Sequence, residues 1–144
     1  MRRYVWCAAV VLALSGAVLG AQKVTTPDAL DKAMKAAGKA SGAARTAVTS
    51  GDVAAAKTQL VTLRQAIKDS ENLWAEKKKA DGVKAVADTL ARIDEAEKAL
   101  SAATPDKDAA SAALRGMATA CGSCHMVYRA TSEEGGFVLK PGTL

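Results

Sequence analysis

Thr26-Pro27-Asp28 and Thr104-Pro105-Asp106 are one signal written twice. A hydroxyl cap, a proline at the first helical position and an acid in the first turn are what starts a helix. The first copy predicts a helix to about Thr49, where Ser50-Gly51-Asp52 breaks it and caps a second helix beginning near Val53. Lys77, Lys78 and Lys79 close that helix, Asp81-Gly82 marks a turn, and a third runs from Val83 to about Ala103. The second copy opens a fourth, from Pro105 to about Ala130. Four amphipathic helices joined by short connections leave few folds open. The expectation is an all-α, antiparallel up-down-up-down four-helix bundle.

Apolar residues recur at three- and four-residue steps in each stretch. The stripes are Leu30, Ala33, Met34, Ala37, Ala40 and Ala44, then Leu60, Leu63, Ile67, Leu73 and Trp74, then Val83, Val86, Leu90, Ile93 and Leu100. The fourth is Ala110, Ala113, Met117, Cys121, Cys124 and Tyr128. Composition matters here because the stripes are made of small side chains: 33 of 144 residues are alanine, while aromatics are 3%. Such helices pack closely but fill little volume, so a large flat apolar cofactor would add buried surface that the side chains lack.

The fourth stripe carries Cys121-Gly122-Ser123-Cys124-His125. Two thiols three residues apart lie on one helix face, able to form two thioethers with the vinyl groups of one haem, and the adjacent imidazole can bind the iron as proximal ligand. This is the c-type haem attachment pattern. Three other readings compete. A structural zinc site wants a fourth ligand that a single pair plus one histidine does not supply. A thioredoxin-like redox pair wants alternating strands and helices. A plain disulfide between Cys121 and Cys124 suits an exported protein but leaves His125 without a role.

Export is itself expected. Met1 to Gly20 has a basic start in Arg2 and Arg3, an apolar run from Val5 to Leu14, and small residues before Ala21, so it reads as a signal peptide removed on the way to the periplasm. The alternative is an uncleaved anchor, for which the run is short and broken by Ser15 and Gly16. Cys7 precedes the run's end and leaves with it. The organisation is then residues 1–20 signal, 21–131 helical domain and 132–144 an irregular, Gly-rich tail. Net charge is +5; without Arg2 and Arg3 it is +3, spread along the helices with almost no aromatics to stack on bases. That speaks against nucleic-acid binding, and nothing in the mature part suggests stable membrane insertion. No cluster of acid, base and nucleophile marks an enzyme.

With the motif near the C-terminus and continued by Met126-Val127-Tyr128-Arg129, the chain resembles the class II c-type cytochromes, the family of cytochrome c′ and cytochrome c-556. The resemblance covers four helices, a Trp between the second and third, and CxxCH followed by Tyr-Arg. It implies one covalent haem c inside the bundle, with Cys121 and Cys124 as thioethers, His125 as the proximal axial ligand, and Tyr128 and Arg129 in the haem surroundings. It leaves open a homodimer through the first two helices.

Function then turns on the sixth iron position. The only histidine is already used, Met126 adjoins it, Met117 shares its helix and Met1 leaves with the signal, so Met34 remains. Met34-Lys35-Ala36-Ala37-Gly38 also lines up with the segment carrying the ligand methionine in six-coordinate members. The chain departs from the family four residues earlier, where Leu30 replaces an arginine. Ligation by His125 and Met34 implies one-electron transfer with redox partner proteins. With Met34 as core filler instead, the implied activity is five-coordinate binding of small gases such as nitric oxide or carbon monoxide.

Overall fold

The structure is a computed structural model that describes residues 23–133 and 136–144. The expected signal segment, with Cys7, lies outside the described residues. Four helices follow in order: α1 (Pro27–Ser50), α2 (Val53–Glu76), α3 (Ala80–Leu100) and α4 (Lys107–Tyr128). Two short strands, β1 (Arg129–Thr131) and β2 (Phe137–Leu139), complete the chain. The fold is all-α, and its four helices are consistent with a four-helix bundle.

Local chemistry explains most boundaries. Thr26 caps α1 by accepting from the Ala29 N–H at 3.2 Å, with Pro27 first in the helix. Gly51 ends it at φ 80°, its N–H turned back to the Ala47 and Val48 carbonyls, a left-handed cap that glycine adopts without steric cost. Asp52 then caps α2, accepting from the Ala55 N–H at 2.9 Å.

Two expected boundaries are corrected. Asp81-Gly82 is not the turn but sits in the first turn of α3; the chain reverses at Lys77, Lys78 and Lys79 instead, with Lys78 at φ 55°. The Lys77 and Lys79 N–H groups close back on the Leu73 and Trp74 carbonyls at 3.0 and 2.9 Å, so the lysines form the reversal rather than a last helical turn. The second Thr-Pro-Asp does not start its helix as the first does. Asp106 caps α4 by accepting from Ala109 at 2.9 Å, two residues later than the parallel with Thr26 predicts. The Asp106 N–H is held at 3.0 Å by the Ala99 carbonyl, which folds Thr104 and Pro105 into the connection.

The C-terminal segment also differs from the expected irregular tail. Helix α4 stops at Tyr128 and Arg129 is extended (φ −100°, ψ 136°), so Arg129, Ala130 and Thr131 pair antiparallel with Leu139, Val138 and Phe137.

Helix α1 packs on α2 and α4, and α3 packs on α2 and α4. Ala44, Ala56, Ala96 and Ala110 have no exposed surface, which lets the helices approach closely. Leu60, Leu63, Leu73, Ile93, Leu100, Leu114 and Met117 fill the space between. Arg64 on α2 ties α3 by hydrogen bonds to Glu97 at 2.8 and 3.2 Å and to Asp94. Among the described residues no helix is long and apolar enough to cross a membrane.

Candidate functional site

Cys121 and Cys124 are free thiols on the core-facing side of α4, each half-buried against the apolar core. Cys121 Sγ lies 3.9 Å from the Thr89 hydroxyl of α3, which itself donates to the Ala85 carbonyl at 2.7 Å. Burial pushes the Cys121 thiol up, against a smaller opposite pull from Thr89 and from the Arg45 charge. Burial first, then the Asp81 charge and the charge Cys121 would carry if ionised, push Cys124 up to about 11. Both sulfurs are therefore protonated apolar groups in the folded chain.

His125 is also half-buried, and its Nδ1 stands 3.3 Å from Arg129 Nη1, one helical turn on. Burial first, and the Arg129 charge second, hold the imidazole below its ordinary pKa, favouring the neutral ring that a metal requires. A guanidinium only donates, so in this contact Nδ1 is the acceptor. Arg129 also lies over the Phe137 ring, 3.1 Å from its centre.

Tyr128 is buried and stacks on Trp74 of α2, ring centres 4.8 Å apart at 28°. Its hydroxyl donates to Asp81 Oδ1 at the start of α3. Burial, reinforced by Asp81, pushes the phenol up to about 12, while the same hydrogen bond holds the Asp81 carboxyl below its ordinary value. Gly82 makes room for Trp74 at that junction. Asp81, Gly82 and Thr89 were not foreseen as neighbours of the motif. The Asp-Gly pair carried the signal, but as an acid in a helix's first turn rather than as a turn.

Met34 is half-buried against the same core, flanked by half-buried Ala33 and buried Ala37. Met117 is 2% exposed and belongs to the core, whereas Met126 points outward at 76%. Large apolar groups left half-covered include Met34, Val83, Leu90, Cys121 and Cys124, while Leu60, Leu63, Ile93 and Leu114 are sealed. Both cysteines and Met34 thus belong to the half-covered apolar margin of the core, and side chains of this kind are compatible with an apolar cofactor lying against them. Two surface depressions, about 160 and 400 Å³, are lined around Arg45 and Thr49 and include neither the motif nor Met34.

No group of three or more His, Cys, Asp or Glu side chains converges as a metal cage among the described residues. No protein-family model matches the chain, and neither the curated proteins nor the solved structures contain a match.

Proposed function

We propose that this chain is an exported class II c-type cytochrome, a monohaem electron carrier, with Cys121 and Cys124 holding haem c and His125 and Met34 as axial ligands. One observation carries the reading: two thiols in attachment spacing, followed by a half-buried imidazole, sit half-covered against the apolar core on α4. The bound haem supplies a one-electron couple in which no covalent bond is made or broken.

The contacts support the up-down order. Along α3 and α4 they run in opposite chain directions, Asp81 with Tyr128, Thr89 with Cys121 and Arg92 beside Gly116. Along α1 and α4, a Cβ built at Gly51 would stand 3.6 Å from the Lys107 ammonium, and Arg45 donates to the Leu114 carbonyl at 3.2 Å. Met34 stands eleven residues before Arg45 and His125 eleven after Leu114. At about 1.5 Å of rise per residue, both helices travel the same distance from that contact, and Met34 and His125 come out level. This supports Met34 as the sixth ligand independently of any resemblance.

The residues around the iron position have separate tasks. Burial keeps His125 neutral. With Nε2 given over to the iron, His125 would carry its ring proton on Nδ1 and Arg129 would give up its contact there, for which Phe137 already offers the guanidinium a resting face. Tyr128, locked between Trp74 and Asp81, fixes the end of α4 one turn beyond the ligand. Periplasmic maturation and absence of enzymatic turnover belong to the same proposal, which leaves a homodimer through α1 and α2 open.

The test is an absorption spectrum of purified protein, oxidised, reduced and under carbon monoxide. Low-spin iron indifferent to carbon monoxide is expected, and Met34→Ala should convert it to a high-spin form that binds the gas. A wild type already high-spin and gas-binding would favour the second reading, for which the small Ala33 and Ala37 beside Met34 leave room. A polypeptide of bare mass and no colour would overturn both.

A further inference from the structure

Single exposed apolar side chains are ordinary on a protein surface, but a contiguous group rimmed by charge marks a binding surface. Four of the six large apolar side chains exposed among the described residues gather at one end of this molecule. Met126 is 76% exposed, Val127 50%, Phe137 60% and Val138 48%. Met126 and Val127 form the last turn of α4 directly after His125, and Phe137 and Val138 lie on β2, paired with Thr131 and Ala130 just beyond that helix. Two bonds fasten the hairpin there: Lys140 donates to the Met126 carbonyl through its ammonium at 2.6 Å and to the Tyr128 carbonyl through its backbone N–H at 2.8 Å.

The rim is basic. Lys77, Lys78 and Lys79 form the α2–α3 reversal, and that reversal is pinned to the same end because Trp74 before it and Asp81 after it both hold Tyr128. Arg129 and Lys140 stand on the hairpin side. Of the described carboxylates nearby, Glu76 is matched by Lys23 at 3.2 Å, while Asp81 and Glu133 keep their charge against the five cations. The cations therefore dominate the field at this end.

We propose that this end is the docking surface for an electron-transfer protein that presents carboxylates around a small apolar centre. The inference rests on the haem reading above and names the partner's chemistry. Complementary charge steers encounter, and the small apolar centre makes the complex brief, as a carrier that must release its partner needs. A protein fits better than a lipid surface because the Phe137 ring is roofed by the Arg129 guanidinium, so it offers a flat mixed face instead of a bare tip for insertion.

The experiment is a nuclear magnetic resonance titration of the isotope-labelled, haem-loaded protein with a reduced acidic blue-copper protein as probe. Shift changes are expected at Lys77 to Lys79, Met126, Val127, Phe137 and Val138. The dissociation constant should rise at least about tenfold in Lys77→Glu/Lys78→Glu and by a few fold in Phe137→Ser. The charge-matched control Lys39→Glu/Lys107→Glu, away from this end, should leave it within about twofold. Equal weakening in both doubles, or a footprint elsewhere, overturns the docking surface while the haem spectrum keeps the function intact. Co-sedimentation with phosphatidylserine vesicles that the Lys77→Glu/Lys78→Glu pair abolishes, without any footprint for the acidic protein, overturns it in favour of a lipid surface. A colourless protein overturns both proposals.

Discussion

Gly82 occupies a place where a methyl group cannot go: a Cβ there would stand 2.8 Å from Trp74 Cδ2 and 2.9 Å from Cγ. The ring cannot retreat freely because Tyr128 stacks on it. Gly82→Ala should therefore destabilise the protein by about 1–3 kcal/mol despite alanine's better helix propensity, with a change in Trp74 fluorescence, both read in urea titrations. An unchanged midpoint would show that the contact relaxes. The cysteines allow a second prediction. With Cys124 at about 11, its thiolate at pH 8 is scarcer by about a hundredfold than in an unperturbed thiol. In haem-free protein iodoacetamide should modify it correspondingly slowly when folded and rapidly once unfolded. Equal rates in the two states would contradict the burial. The same protonation makes the folded chain a poor nucleophile toward vinyl groups, so under the proposed reading haem would be attached before folding.

At the scale of elements, α1 and α4 show how one sequence signal can resolve in two ways. Thr26 caps directly before Pro27, whereas Thr104 and Pro105 are drawn into the connection and Asp106 takes the cap. The deciding interaction is the Asp106 N–H to the Ala99 carbonyl, a contact with the preceding helix that no local pattern reports. Asp106→Ala should cost about 1 kcal/mol, while Thr104→Ala should be close to neutral. Comparison of their thermal midpoints checks the assignment, and the reverse order would restore the Thr-Pro start. The hairpin was illegible for a related reason. Three-residue strands carry too little alternation to be read, and β2 exists because Lys140 and the end of α4 hold it in place.

For the whole molecule, the Trp74, Tyr128 and Asp81 junction joins α2, α4 and α3, so its protonation is a term in global stability. The folded state raises the Tyr128 pKa from 10.0 to about 12, so it favours the neutral phenol. That contribution is fully present below pH 10 and is lost as pH rises towards 12. Asp81 works in the other direction: its folded pKa is lowered, so its contribution is present above the ordinary value of 3.8 and lost as pH falls through the folded one. Tyr128→Phe should be less stable than wild type at pH 7 yet lose less between pH 10 and 12. Urea unfolding followed by far-ultraviolet circular dichroism decides, and parallel alkaline curves would remove the junction from the account.

The amino-acid sequence by itself determined that the chain folds as four helices, because helix starts, stops and three-to-four periodicity are local properties of neighbouring residues. It also put Cys121, Cys124 and His125 together, since their spacing on one helix needs no other part of the chain. Tertiary structure alone decided that Asp81, Gly82 and Trp74 meet Tyr128, that Asp106 rather than Thr104 begins α4, and that the final residues turn into a hairpin. These outcomes depend on contacts between separate elements, from 7 residues apart for Asp106 and Ala99 to 54 for Trp74 and Tyr128, where packing and hydrogen bonding outweigh local preference.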